Sequence, residues 1–504
     1  MDPIIIIGAG AAGFSAALEL ADQGHKVVLL EKNTLGSGSS GRNPGRMGHG
    51  FHYADIETAK AYLRASMEVQ RKYPDYLLAG DIKNSPLRRG RYFIVKNSIP
   101  SKEVILATYE KIKQEYTGLV DDDLAKVFGP PSQFYRMLDP TEYAGQVNMD
   151  IIDCAVETNE HLFLWSKFAE FIKNRIQKHP NIQLREHTEV VTLARNLSGK
   201  SRFKVTIRNS KQEIETLTTD QLINSTWEHI ERLNTQLGFQ LQPEQRTNRL
   251  KALVRVKLPT HLLNAHSMFF CMGQHGMMSN MGDGTAMLTY AKFTNIETST
   301  DLSMSADAER LLAQGPTPDE IEAYGRPMLN GIDNYIPGMK EAEIVSLQFG
   351  VVQTTGSLTL EQLQNPEHPF NKRTDLGIVE NQVGLISNPC RKLFYFLKNA
   401  RVVSDLVQKH FKASLVIDEV ISALENNFVA EQRVFTPVLE RKFREQLERG
   451  ALERLQKDQV PNLSKDLFNE YKTHDGLERY TTFKPAVSSI LPMNKLILEN
   501  TARV

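Results

Sequence analysis

The first 31 residues set an apolar run, a glycine turn, an alanine-rich stretch and a second apolar run in unbroken succession, and few folds accept that order. Ile4-Ile5-Ile6-Ile7 is short, continuous and β-branched, as expected of a parallel strand buried on both faces. It runs into Gly8-Ala9-Gly10-Ala11-Ala12-Gly13, a complete GxGxxG. In this pattern Gly8 permits a tight turn, Gly10 leaves room for a pyrophosphate against the backbone, and Gly13 lets the next helix pack close to the strand. That helix is expected from about Ala11 to Gln23, stopping at Gly24, with Ala11 and Ala12 in the amide-rich first turn that faces the pyrophosphate. His25 to Leu30 reads as the second strand and closes on Glu31 and Lys32. A carboxylate roughly 20 residues past the glycines is placed to accept hydrogen bonds from an adenosine ribose.

The motif alone does not separate FAD from NAD, but the residues after it help. The chain does not proceed to another ordinary βα unit. It enters Gly36-Ser37-Gly38-Ser39-Ser40-Gly41-Arg42-Asn43-Pro44-Gly45-Arg46, a stretch of small residues, hydroxyls and amides able to bend around a long cofactor. Ser39, Ser40, Arg42 and Arg46 are its candidate contacts. A flexible linker would rarely continue into Met47-Gly48-His49-Gly50-Phe51-His52-Tyr53, which is aromatic and poorly solvating.

Composition narrows the partners. The 60 basic residues balance the 60 acidic ones, so no bulk field draws the chain to nucleic acid, and nucleic-acid binding is set aside. Cys154, Cys271 and Cys390 are odd in number and far apart, which suits a reducing compartment better than a disulfide framework. Met1-Asp2-Pro3 leads directly into the first strand without a basic n-region, so no secretion signal is expected. No run approaches the roughly 20 apolar residues of a membrane span. The expected location is the cytoplasm, with attachment to the inner membrane surface left open.

Taken together, these segments resemble the FAD-dependent oxidoreductases of the D-amino-acid oxidase superfamily, which includes glycerol-3-phosphate dehydrogenase, sarcosine oxidase and D-amino-acid dehydrogenases. The resemblance implies bound FAD and an α/β fold: a Rossmann-like FAD-binding domain of the glutathione-reductase type, with an antiparallel-sheet substrate domain and a C-terminal helical cap. It also covers Glu157 to Lys178, read as an amphipathic helix with Leu164, Phe168, Ile172 and Ile176 on one stripe. Thr188 to Val191 follows it as a strand, in which Val190 holds the position that passes the adenine in the family. Gln221 to Trp227 looks like the strand that ends in small residues, Ser225 and Thr226, beside the diphosphate. In Val383 to Lys392, Asn388 reads as an N-cap and Pro389 as the first helical residue. The family directs a helix here at the flavin, where Lys392 would stabilise negative charge. This chain carries Asn-Pro-Cys-Arg where relatives have glycine pairs, which puts the substrate in doubt more than the cofactor.

Interruption is normal in such folds, so the FAD domain is expected in pieces at 1–80, 150–235 and 345–410. The substrate domain then takes 81–149 and 236–344, with apolar runs in Leu250 to Tyr290 forming an antiparallel sheet over the flavin. From 411 to 504 the chain reads as a helical region, with Phe443, Leu447, Ala451 and Leu455 at four-residue spacing on a docked surface helix.

Flavin enzymes of this kind move a hydride from a small-molecule substrate to flavin N5 and pass the electrons to an acceptor, which here stays open among oxygen, a quinone and a protein. His52 and Tyr53 are the candidates to face the flavin, His52 as a base. Arg46 is a candidate anchor for a substrate anion or the diphosphate, and His275 lies in a segment that would line the substrate side. Two functions follow. One is a dehydrogenase or oxidase acting on a C–N or C–O bond of an amino acid, amine or hydroxy acid. The other is a flavin-binding protein whose altered Asn388 to Lys392 turn no longer supports turnover and which acts through partners.

Overall fold

The computed structural model describes residues 2–79, 85–120, 128–197, 201–240, 246–355, 372–431, 433–435, 437–456, 463–471 and 481–483. The chain forms two compact units, Met1–Ser404 and Asp405–Val504, divided within the helix Phe396–Glu431.

In the first unit Ile4–Ile7 is buried throughout and lies inside a six-stranded sheet. The order is Val379–Gln382, Leu385–Ser387, Leu222–Asn224, Ile4–Ile7, Val27–Leu30 and Ile182–Arg185. All pairs are parallel except the edge pair of Val379–Gln382 with Leu385–Ser387. The helix Ala11–Asp22 follows the first strand, and its Phe14 ring meets Trp165, Phe168 and Phe396. A small antiparallel sheet of Glu189–Arg195, Phe203–Arg208 and Ile214–Thr219 shares a core with this sheet, Leu193, Phe203 and Val205 packing with Ile5 and Ile7.

The second sheet of this unit has nine strands and is antiparallel apart from the pair Gly90–Val95 and Ser267–Cys271. Its two longest strands, Arg246–Lys257 and Ile344–Thr355, pair with each other along most of their length. Leu250, Ala252, Val254 and Val256 alternate into a core with Met328, Leu329 and Ile332 of the helix Pro318–Asp333. Thr317 starts that helix with a capping box to Glu320. The antiparallel runs expected within Leu250 to Tyr290 are present as Ser267–Cys271, Gly276–Asn280 and Thr285–Tyr290.

One expected helix is shorter. It begins at Trp165 rather than Glu157, because Ile152–Thr158 is a strand paired with Gly90–Val95. Glu157 is fixed in that sheet by Arg89 at 2.9 Å and Arg91 at 3.2 Å. Residues 152–158 therefore belong to the larger sheet and not to a nucleotide-binding piece that starts at 150. Phe168, Ile172 and Ile176 form the buried stripe as read, while Leu164 becomes the N-cap.

In the second unit Phe443, Leu447, Ala451 and Leu455 pack on Ala413, Ile417, Val420 and Leu424, joined by Leu463 and Leu467. The expected C-terminal helical region also contains a strand pair, Arg433–Phe435 with Thr481–Phe483, and its residues 432, 436, 457–462, 472–480 and 484–504 lie outside the described residues. Among the described residues no helix is long and apolar enough to cross a membrane.

Candidate functional site

A cavity of about 360 Å³ opens at the carboxyl ends of the parallel strands, the place where open α/β sheets bind ligands. Gly8, Gly10, Ala11 and Ala12 form its floor. Gly8 holds φ +91°, and a Cβ there would stand 2.7 Å from the Ser225 carbonyl oxygen. Gly13 does not line the cavity. A Cβ on it would fall 1.7 Å from the Gly8 carbonyl oxygen, so its role is the close helix–strand contact. Ser40 accepts the Ala11 amide at 3.0 Å, and Ser39 accepts the Val351 amide at 3.3 Å. The glycine-rich loop thus folds over the helix N-terminus and ties it to the larger sheet. Arg42 lines the cavity while its guanidinium donates to the carbonyls of Leu312 (2.8 Å) and Phe349 (3.3 Å).

Glu31, Lys32 and Val190 line the far end. The Glu31 carboxylate accepts the Ala9 amide at 2.8 Å and the Asn33 amide at 2.9 Å, while burial raises its pKa against these bonds. Ser225 and Thr226 line the wall where the strand Leu222–Asn224 ends, Thr226 donating to the Asn224 side chain at 2.7 Å. Sequence reasoning missed the next turn, Trp227 to His229, and the helix Ala306–Gln314, which bring Glu228 and Glu309 to the same wall. Burial, followed by Glu309, pushes Glu228 up to about 7. The polar run Ser225-Thr226-Trp227-Glu228 was visible in sequence, but the approach of residue 309 is purely tertiary. A floor of glycine and alanine, a helix N-terminus above it and a carboxylate at the second strand end fit an FAD adenosine diphosphate.

Cys390, Arg391 and Leu393 carry the cavity wall to a second group of residues. Lys392 Nζ, between them in sequence, donates to the Tyr53 hydroxyl at 2.9 Å and lies 4.6 Å from the centre of that ring. His52 stands beside Tyr53 with ring centres 5.7 Å apart. The residue itself is exposed, yet desolvation by the surrounding chain and then Arg46, Lys392, Arg373 and Lys251 lower its pKa from the usual histidine value, so the imidazole is neutral at physiological pH. His52, Tyr53 and Lys392 are therefore brought together. Arg249, Lys251 and Arg373, which sequence reasoning did not single out, join them electrostatically. The signal for the first two was present, since Arg249 and Lys251 alternate with Leu250 and Ala252 on a strand.

Two expected placements differ. Arg46 does not line the cavity: its guanidinium donates to Tyr92 at 2.5 Å and Glu160 at 3.2 Å, and sits 3.1 Å from the centre of the Phe269 ring. The buried Glu160 carboxylate and the Tyr92 hydroxyl take up its guanidinium. His275 lies at the hairpin before Gly276–Asn280, outside the cavity lining, and bonds Tyr335 at 3.0 Å. The Asn388 turn also departs from the reading. Asn388 is no N-cap; fully buried, it donates to the Ala12 carbonyl at 3.2 Å and accepts from Asn399 at 2.8 Å, cross-linking the glycine turn. Cys390 takes φ +48°, Lys392 is extended, and helical structure starts only at Leu393. Pro389 consequently lies in the cavity wall and not in a helix.

The FAD-dependent oxidoreductase (DAO) family model matches residues 3–359. Among solved structures, glycine oxidase from Geobacillus kaustophilus shares the fold with a TM-score of 0.53, covering 81% of this chain and 95% of that one at 15% identity. L-alpha-glycerophosphate oxidase from Mycoplasma pneumoniae with FAD bound gives 0.54 over 81% and 94% at 14% identity. In sequence, a probable oxidoreductase, OrdL, of Haemophilus influenzae is 52% identical over 48 residues, 10% of this chain and 11% of that protein. Gamma-glutamylputrescine oxidoreductase of Escherichia coli is 46% identical over 44 residues, 9% of this chain and 10% of its own length. The aligned part is thus a small fraction of either relative, whereas the family match runs from the glycine turn to the cavity-lining strand Ile344–Thr355. On that span the chain belongs to the FAD-dependent oxidoreductase (DAO) family.

Proposed function

We propose that the protein is an FAD-dependent dehydrogenase or oxidase that takes a hydride from the carbon of a C–N or C–O bond in a small amino acid, amine or hydroxy acid. The observation that carries this reading is the continuity between the nucleotide cavity, through Cys390 and Leu393, and the group His52, Tyr53 and Lys392. Bound FAD supplies the hydride acceptor. The glycine floor, the Ala12 amide and the Ser40 hydroxyl, whose oxygen accepts the Ala11 amide, hold its diphosphate, and Glu31 and Val190 hold its adenosine.

At the reacting end, burial pushes Tyr53 up to about 12, so it keeps its proton at neutral pH. Because its oxygen accepts from Lys392, the phenol proton is free to be donated to a substrate atom. Neutral His52 can accept the proton of a substrate hydroxyl, whereas a neutral amine needs positioning alone. The aromatic ring packing of Phe51 against Tyr92, Tyr109 and Phe134 backs this segment and excludes water behind it. We place the protein in the cytoplasm, at the inner membrane surface if its acceptor is a quinone.

Anaerobic mixing of the purified yellow protein with a panel of amino acids, amines and hydroxy acids tests the reading through bleaching of the flavin band. One class should reduce the flavin, and oxygen, quinone and protein acceptors can then be compared for reoxidation. A protein that binds FAD but is reduced by no member of the panel would instead be the flavin-binding protein that acts through partners.

A further inference from the structure

We infer that this site takes a substrate with two anionic groups, received by Arg249, Lys251, Arg373 and Lys392; the inference rests on the oxidoreductase reading above. Arg249 and Lys251 are two residues apart on Arg246–Lys257 and project from one face of the sheet, while Leu250 and Ala252 bury in the core on the other. In the ladder Arg249 stands opposite Val352, which lines the nucleotide cavity, and Lys251 stands opposite Gly350. A Cβ on Gly350 would meet the Arg42 carbonyl oxygen at 3.4 Å. The cation-bearing face therefore looks toward the loop that borders the cofactor. Arg373 and Lys392 reach the same place from other segments. The Arg373 amide donates to Thr58 at 2.8 Å, its carbonyl accepts from Tyr395 at 3.2 Å, and Lys392 donates to Tyr53 at 2.9 Å.

The four groups feel one another. Burial lowers Lys251 to about 7, with Arg249 and then Arg373 adding to the drop. Lys392 falls well below the usual lysine range through burial, then Arg373, Lys251 and Arg249, and Arg249 falls to about 10 through burial and then Arg373. Neighbouring cations outside the group have carboxylates: Arg391 pairs with Asp375 at 2.7 Å, Arg255 with Asp283 at 2.5 Å and Arg246 with Glu231 at 3.6 Å. Among the described residues none of the four has an ion-pair partner, and Arg249 Nε is buried with no hydrogen-bond acceptor.

The FAD diphosphate does not account for this excess. It belongs at the glycine turn, in a cavity whose charged lining is already balanced, with four carboxylates against four Lys and Arg side chains. Glu160, a buried carboxylate that acts on Tyr53, is held by Arg46 and Tyr92. With Lys251 and Lys392 lowered toward their neutral forms, one carboxylate would hold only part of the group in the charged form, whereas two oxyanions on a short chain can each bridge a pair of the basic side chains and draw both lysines into the protonated form. A dicarboxylate and a carboxylate with a phosphate share that chemistry.

The test uses the FAD-loaded protein and anions that cannot be oxidised there: butyrate, glutarate and 3-phosphonopropionate, with binding followed by calorimetry and by perturbation of the flavin absorption band. Glutarate or 3-phosphonopropionate should bind roughly 10- to 100-fold more tightly than butyrate. Which dianion is preferred distinguishes a second carboxylate from a phosphate, and either supports the inference. Lys251→Met and Arg249→Gln should each bring the dianion toward the butyrate level, and Lys251→Arg should keep the preference. Removing one of several repelling charges should leave the melting temperature unchanged or raise it, so lost affinity is separable from lost folding. Equal affinity for all three anions, or a preference that survives both substitutions, overturns the inference. If the dianion preference holds but no substrate reduces the flavin, the oxidoreductase reading fails and the anion site stands. If monoanionic and dianionic amino acids reduce the flavin equally well, the anion inference fails alone.

Discussion

Replacing Gly10 by valine should produce a folded protein that has lost its FAD. The backbone at Gly10 is already in a region open to any residue, with φ −70° and ψ −174°, so valine adds no left-handed strain. Its Cβ would sit 3.2 Å from Ser40 Oγ, a tight contact but one with the end of a short side chain, and the expected loss of stability is about 1 kcal/mol. The cofactor fares differently. The added branch occupies the space where the diphosphate meets the Ala12 amide and the Ser40 hydroxyl, and two charge-assisted hydrogen bonds at about 1.5–3 kcal/mol each are lost. The sum of about 3–6 kcal/mol weakens FAD binding by roughly 100- to 10,000-fold. Gel filtration followed by the ratio of flavin to protein absorbance reads this, with circular dichroism reporting the fold. Gly13→Ala is the contrasting control. Its Cβ would lie 1.7 Å from a backbone oxygen that cannot move without the strand, so it should lower the melting temperature itself. Full flavin absorbance in Gly10→Val after gel filtration would refute the placement of the diphosphate.

Glu31→Ala should weaken FAD by about 1.5–3 kcal/mol, and because Glu31 also holds the Ala9 and Asn33 amides it should lower stability by on the order of 1 kcal/mol; an unchanged FAD dissociation constant would mean the carboxylate serves the turn alone. Glu228 has a folded pKa raised to about 7, so its contribution to stability is present below the ordinary glutamate pKa and is lost as pH rises toward 7. Urea titrations should accordingly find Glu228→Gln close to wild type near pH 4.5 and more stable by on the order of 1–3 kcal/mol at pH 8, and no such divergence would contradict a desolvated carboxylate. His52→Asn should slow anaerobic flavin reduction by a hydroxy-acid substrate roughly 100- to 10,000-fold with FAD retained, and a rate within a few-fold of wild type would favour an amine oxidised without an enzyme base.

The nucleotide half of the site was legible because its determinants are local. Strand, glycine turn, helix and Glu31 follow one another within one stretch, with Gly8 required by its φ, Gly13 by the close approach of the Gly8 carbonyl, and Gly10 by the space left for the diphosphate. The same logic failed at Asn388 to Lys392. An asparagine followed by proline satisfies the local rules for a helix start, yet the Asn388 amide is drawn into contacts with Ala12 and Asn399, and Cys390 turns the chain with φ +48°. Tertiary bonding to a distant turn outweighed a cap of about 1 kcal/mol. Arg46 was misplaced for a related reason: Glu160 and Tyr92, which capture it, come from 114 and 46 residues away and left no mark near it in sequence.

The substrate half is assembled from Tyr53, the strand at 249–251, Arg373 and Lys392, and no window of sequence contains more than two of these. A net charge of zero conceals it as well, since balance over 504 residues permits a local excess of cations. That excess has a physical consequence for the whole first unit. Like charges held in a desolvated group oppose folding, so the site's own side chains lower the stability of the protein that carries them. An anion that binds only the folded form reverses this, raising stability by an amount set by its concentration relative to its dissociation constant. His52 is tied to the same balance. Its pKa is depressed by desolvation and then by Arg46, Lys392, Arg373 and Lys251, so neutralising the last three relieves part of the depression and makes the imidazole a stronger base when substrate is present. A charged substrate thereby improves the base that would act on it, which a neutral substrate at the same site cannot do.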